Sequence, residues 1–157
     1  MPQLSTCLWF DTQAKEAVDC YVGLFPDARI TAVTHYGKGM PQPEGSVLTV
    51  TFEIGGARYT ALNGGKHFQL SPAVSIVVPC RTQEEIDRYW NALSAVPQAE
   101  QCGWLQDRFG LSWQIVPEEL FTMLQDPDRA RVQRVTQAFM QMKKFDLAAL
   151  RKAYEGR

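Results

Sequence analysis

At 157 residues the chain can bury the core of one domain, or of two small ones. Apolar residues make up 45% and charged residues 21%, the balance of a soluble globular protein rather than a disordered or membrane-embedded one. A net charge of -1 supplies no concentrated positive field for a nucleic-acid backbone, so no nucleic-acid partner is expected.

The first predicted element is the apolar run Leu4 to Phe10, of strand length. No basic stretch precedes it and Asp11 ends it, so it is not read as a secretory leader. No apolar run approaches the ~20 residues of a membrane span, and no membrane partner is expected. Asp11 or Thr12 offers a helix N-cap. Ala14, Ala17, Val18, Tyr21 and Phe25 then recur at helical spacing, which predicts a helix over 13–24 that Pro26 and Asp27 end. Residues 28–36 read as a β-branched strand, and the glycines and prolines of 37–45 as a loop. Residues 46–54 and 57–62 form a hairpin about the Gly55-Gly56 turn.

The order partly recurs. Residues 73–78 predict a strand, and Thr82 caps a helix through about Leu93 with Glu85 as capping-box partner. A short strand near Gly103 to Leu105, the turn Asp107 to Gly110 and a strand from Leu111 to Val116 complete this half. An offset of 68 residues places Tyr21 on Tyr89 and Thr6–Phe10 on Val74–Val78; at the final hairpin the offset falls to 54, placing Thr60 on Gln114. This is an internal repeat whose second copy has a shorter middle. Pro117 onward is helical: a start at Glu118-Glu119, a helix capped within Asp126-Pro127-Asp128 carrying Val132, Val135, Phe139 and Met142, and a last helix from Asp146. Met140 and Met142 read as packing residues of that middle helix. Lys143, Lys144, Arg151 and Lys152 read as a solvated face, and the tail covers either its own sheet or a partner subunit. The expectation is an α+β protein, one domain over 1–157 with module one at about 3–65, module two at about 70–117 and a helical tail at 118–157. Cys7, Cys20, Cys80 and Cys102 form no C-x-x-C pair; reduced, mostly buried thiols and a cytoplasmic location are expected.

The stretches LWFDTQAKEAVDCYVGLFPDARI, GSVLTVTFEIGG, ALNGG, VSIVVPCRTQEEIDRYWNAL, CGWLQDRFGLSWQIVP and DPDRARVQRVTQAFMQMKKFDLAALRKAY, in this order, resemble the PhnB-like branch of the vicinal oxygen chelate superfamily. That branch is often labelled 3-demethylubiquinone-9 3-methyltransferase-like; the superfamily includes glyoxalase I and bleomycin-resistance proteins. The resemblance implies two βαβββ modules forming a cupped mixed sheet around a pocket, commonly in a homodimer. It does not bring the methyltransferase activity with it, because no glycine-rich turn follows a strand and opens a helix as a nucleotide-type cofactor would need.

The resemblance also implies where a divalent metal would be held: near the start of each module's first strand and on each module's last strand. Here those positions are Leu4 to Thr6, Pro72 to Val74, Thr60 and Gln114, a neutral set poorly suited to a cation. Gln3 joins only with a shifted register, and His35 and His67 lie near loops. No cofactor is expected, and a divalent metal has weak support. Strand alternation places Thr6, Leu8, Val74 and Ile76 on the pocket face with Thr60 and Gln114, and turns Trp9 and Trp113 to the core. Trp104 and Phe68 read as pocket-lining, Asn63 as a residue at the pocket mouth, and Cys102 as a thiol near the cup, either packed or nucleophilic. Cys80, beside Arg81, reads as a packed thiol whose pKa that cation would lower. Three functions compete: metal-free binding of a small organic ligand, metal-assisted lyase, isomerase or dioxygenase chemistry, and a ligand-free structural or stress-related dimer.

Overall fold

A strand with one apolar face needs a covering layer. In the computed structural model, which describes residues 3–157, each of two sheets finds that layer in the helix that follows its first strand. The chain divides between Leu70 and Ser71 into two units.

The first unit runs β1 (Thr6–Phe10), α1 (Ala14–Leu24), β2 (Arg29–His35), β3 (Val47–Ile54) and β4 (Ala57–Asn63). Its four-stranded mixed sheet has the order β1-β4-β3-β2, with β1 parallel to β4 and the other pairs antiparallel. Helix α1 packs on β3 and β4, so Ala14, Ala17, Val18 and Tyr21 bury Leu8, Phe10, Val50, Phe52 and Ala61. The Phe52 ring stacks on Tyr59 with centroids 5.2 Å apart, and lies 6.3 Å from that of Tyr21. The hairpin turn has Gly55 and Gly56 at φ of +54° and +81°, the left-handed geometry that the Gly-Gly pair is suited to supply.

Neither Asp11 nor Thr12 caps α1. The N-cap position is Gln13, which makes no side-chain cap. The orphan N–H of Ala14 instead donates to Oδ1 of Asn63 at 2.8 Å, and Asn63 Nδ2 donates to the Val47 carbonyl at 3.0 Å. One buried amide therefore ties the helix start to two strands.

The second unit begins β5 (Ser75–Cys80), α2 (Gln83–Leu93), a 3-10 turn (Pro97–Ala99), β6 (Trp104–Gln106) and β7 (Ser112–Pro117). Its sheet order is β5-β7-β6, with β5 parallel to β7 and β6 antiparallel to it. The module matches the first except that the 3-10 turn stands where β2 would be, the shorter middle expected from the falling offset. Buried Ile86 and Trp90 occupy the places of Ala17 and Tyr21, so the helices align one residue beyond the 68-residue offset. Thr82 caps α2 by accepting from the Glu85 N–H at 3.2 Å, while the Glu85 carboxylate reaches back to the Arg81 N–H at 2.7 Å. Asp107 does more than shape its turn: Oδ1 accepts from the N–H groups of Phe109 and Leu111, and Oδ2 accepts from the buried Trp113 indole at 2.9 Å.

The tail comprises α3 (Glu118–Leu124), α4 (Arg129–Phe139) and α5 (Leu147–Glu155). It packs on its own unit through Val116, Leu120, Met123, Val135, Phe145 and Leu150. Asp128 and Asp146 cap α4 and α5 as their spacing predicts. Helix α4 ends at Phe139, so Met142 lies in the connection to α5 and not on the helix.

Replacing Asn63 by Ala leaves a buried N–H and a strand carbonyl without their partner. A loss of about 2 kcal/mol is expected, read as a lowered urea midpoint with an unchanged slope.

Candidate functional site

In a parallel pair, residues directly opposite each other share a sheet face, and a slip of one residue exchanges the faces. In the first unit Cys7 lies opposite Thr60 and Trp9 opposite Leu62. These four share the face away from α1 with Thr49 and Thr51 of β3. Leu8, opposite Ala61, is only 3% exposed beneath α1, and Thr6 alternates onto the same side as Leu8 and Phe10. Asn63 is turned under α1 as well. Thr60 therefore stands on the open face, but Thr6, Leu8 and Asn63 do not share it. Trp9, expected in the core, is the open-face residue. Its indole N–H donates to the Gly65 carbonyl at 2.8 Å, and its ring meets Phe68 edge-on at 5.0 Å. A Cβ on Gly64 would stand 2.2 Å from that indole, so glycine is required there. Phe68 itself is 66% exposed. Glu53 is held between Arg29 and Arg58, and the Arg29 hydrogen bond keeps its carboxyl below the usual range.

The second unit obeys the same parity. Gln114 lies opposite Val77 and Trp104, and Ser112 opposite Ser75 and Gln106. Ile76 sits opposite buried Trp113, on the α2 side, and Val74 precedes β5 in an exposed turn. Neither therefore lies on the pocket face that strand alternation assigned to it. Gln114 and Trp104 remain on the open face, and Trp113 is core as expected. Gln114 donates from Nε2 to Ser75 Oγ at 2.9 Å.

On this open face lies a cavity of about 450 Å³. Trp104, Gln106 and Ser112 supply its sheet wall, Gln101 and Cys102 one rim, and Pro72 and Ala99 further edges. Cys102 and Trp104 were legible in the sequence. Gln101, Gln106 and Ser112 were missed, although Gln106 and Ser112 alternate in phase with Trp104 and Gln114. None of the lining residues carries a carboxylate, ammonium, guanidinium or imidazole. A larger cavity of about 590 Å³ lies where α2 and α5 begin. Its cations are already paired: Lys144 with Asp87 of the same lining, Arg81 with Glu118 and Arg151 with Glu119.

The residues present do not suit the divalent metal of the superfamily's enzymes. Among the described residues no group of three or more His, Cys, Asp or Glu side chains is placed to hold an ion. Thr60 offers a hydroxyl, Gln114 a neutral amide, and Glu53 is engaged by two arginines. His35 and His67 are exposed, and the His67 ring rests near Phe68. The thiols also differ from expectation. Cys7 and Cys20 are exposed, Cys102 is half-buried and only Cys80 is buried. Burial, aided by Glu85 and Glu118, pushes the Cys80 thiol up to about 12. Arg81 does not lower it, because its guanidinium is paired with Glu118.

The family described as 3-demethylubiquinone-9 3-methyltransferase has a model that matches residues 2–116. The chain belongs to this family. Among solved structures it is 30% identical to the PhnB protein from Bacillus cereus, with a TM-score of 0.63 over 74% of this chain and 99% of that one. Protein PA1353 from Pseudomonas aeruginosa is 21% identical, with a TM-score of 0.57 over 75% and 98% of the two chains, a likeness of fold. No curated protein matches. The chain is thus a PhnB-related member of the vicinal oxygen chelate superfamily. The family's methyltransferase label finds no matching cradle here, since none of the three strand-to-helix junctions, Asp11-Thr12-Gln13, Arg81-Thr82 and Pro117-Glu118, contains glycine. The matched region stops at Val116, so α3–α5 lie beyond it.

At pH 7.5 the thiolate fraction of a group raised to about 12 is roughly a thousandfold below that of an ordinary thiol. Maleimide labelling followed by peptide mass spectrometry should therefore modify Cys7 and Cys20 while Cys80 stays unlabelled in the folded chain. Equal labelling of Cys80 would contradict its burial.

Proposed function

We propose that the protein binds a small, uncharged organic molecule in the open-face cavity of its second module, without a metal, as a cytoplasmic homodimer. The observation that carries this reading is the cavity lining: one indole, three neutral polar side chains, one thiol and the apolar Pro72, Ala99 and Leu105, with no formal charge. A volume of about 450 Å³ suits a small organic ligand. Desolvating an ion there without a counter-charge would be costly, which favours neutral ligands, while Gln101, Gln106 and Ser112 supply hydrogen-bonding groups. Trp104 adds a flat, apolar surface suited to an aromatic ring. Dimerisation is supported by large apolar side chains exposed in both units, among them Phe68, Val77 and Phe121. A reducing location suits four unpaired thiols.

The test is a nuclear magnetic resonance titration with 2-naphthol, uncharged at pH 7, against 2-naphthoate, which carries an anionic carboxylate on the same ring system, following the indole N–H signals. The 2-naphthol should shift the Trp104 signal, 2-naphthoate should bind at least about tenfold more weakly, and Trp104→Ala should weaken 2-naphthol by a similar factor. Preference for the anion would sink the uncharged-ligand reading. A stoichiometric Mn²⁺ or Ni²⁺ site abolished by Gln114→Ala would replace it with metal-assisted chemistry.

Light scattering on the purified chain should give twice the 17.7 kDa of one chain. A monomer at tens of micromolar would remove the dimer from the proposal.

A further inference from the structure

The rim of the cavity is a two-residue turn closed by its own ends, where the Trp104 N–H donates to the Gln101 carbonyl at 2.8 Å and the Gln101 N–H to the Trp104 carbonyl at 3.2 Å, and the C-terminal extension meets it from outside. Cys102 has a φ of +49°, the only non-glycine residue with positive φ among those described, and Gly103 follows at +81°. A side-chain-bearing residue persists in that region when its surroundings enforce it. Beyond the turn's own closing bonds, those surroundings include the C-terminal extension. The Cys102 N–H donates to the Met142 carbonyl at 2.8 Å and the Gly103 N–H to the Lys143 carbonyl at 2.8 Å. The Gln101 amide Nε2 donates to the Met140 carbonyl at 3.0 Å, and Cys102 Sγ lies 3.6 Å from the Phe139 carbonyl. On its other side the turn is pinned to the sheet, where the Ile115 N–H donates to the Gly103 carbonyl at 2.8 Å. Gln101 and Cys102 of this turn line the cavity, as does Trp104 on the far side of Gly103.

Packing repeats the message. A Cβ on Gly103 would stand 2.3 Å from the Phe145 ring, so the tail is seated directly on the turn. The tail is in turn fastened by Gln83, which does not line this cavity. Its Oε1 accepts from the Leu147 N–H at 2.8 Å and its Nε2 donates to the Phe145 carbonyl at 3.1 Å. The connection that supplies this clamp, between α4 and α5, lies beyond the region matched by the family model.

We propose that the C-terminal extension is a positioning element for the cavity: its connection between α4 and α5 clamps the Gln101–Gly103 turn in the geometry that binds ligand. The proposal rests on the ligand reading of the cavity given above. Because coupling between two sites is reciprocal, ligand binding must tighten the docking of the tail to the extent that docking favours ligand.

The experiment uses the full chain, the variants Gln83→Ala and Phe145→Leu, and 2-naphthol as probe. Amide hydrogen exchange is followed at Cys102 and Gly103, whose N–H groups contact the tail, and at β3 and β4 as an internal reference. Each variant should speed exchange at Cys102 and Gly103 at least about tenfold relative to the reference strands and weaken 2-naphthol about fivefold or more. In the unaltered chain, saturating 2-naphthol should slow exchange at Cys102, Gly103 and Leu147. Asn63→Ala, which destabilises the other unit, should leave the affinity unchanged; this separates positioning from general loss of stability. Unchanged exchange at the turn in both variants would show that the turn holds itself, and would overturn the proposal. Faster exchange with unaltered affinity would overturn the coupling alone. No binding of 2-naphthol to the unaltered chain would sink the ligand reading and the coupling with it.

Discussion

The parallel pairing of each module's first strand with its last is the contact on which the rest of the structure depends. It sets Cys7 against Thr60 in one unit and Val77 against Gln114 in the other. Alternation along each strand then assigns every neighbour to a face. Leu8, Phe10 and Ala61 go beneath α1, and Val78, Trp113 and Ile115 beneath α2, where helix and sheet bury one another. What remains on the other face is the polar and aromatic set that includes Thr51, Thr60, Trp104, Gln106 and Gln114. The cavity thus follows from core formation: the residues that do not pack under a helix are the ones left to line open space.

Several side chains that invite a chemical reading are engaged as structural ties. Asn63 satisfies the start of α1 and a carbonyl of β3. Asp107 gathers two backbone N–H groups and the Trp113 indole. Gln83 fastens the tail, and Glu53 is held by two arginines. Each is placed where a backbone or charged group would otherwise lack a partner, which is the commonest use of a buried or half-buried polar side chain. The glutamines of the open-face cavity are tied by their Nε2 groups as well, Gln101 to the Met140 carbonyl and Gln106 to the Gly110 carbonyl, yet both also line open space.

The tail gives the second unit a property that the first lacks. Its helices bury a cluster around Val135, Phe145 and Leu150, and their connection meets the strained turn at Cys102. A turn in left-handed geometry stores a bias toward other conformations, and tail docking opposes that bias. The same contact that completes the local fold therefore also borders the rim of the cavity.

Much of this fold was legible in the chain. The strand and helix order, the Gly55-Gly56 turn, the caps at Thr82, Asp128 and Asp146, and the shortened middle of the second module all arise from interactions spanning a few residues, which sequence spacing reports directly. Trp104, Cys102 and Gln114 were legible as open-face or rim residues for similar reasons, since each lies in or beside a short strand with a clear period. The faces of Thr6, Leu8, Trp9 and Ile76 were not, because they depend on a pairing register between strands some fifty residues or fewer apart, and one residue of slip reverses them. Asn63 as the cap of α1, the Met142 and Lys143 carbonyls as partners of the Cys102 turn, and the pairing of Arg81 with Glu118 were equally hidden. Local spacing determined which elements form. Long-range pairing decided which side chains those elements present, because only the folded chain brings the partners within hydrogen-bonding distance.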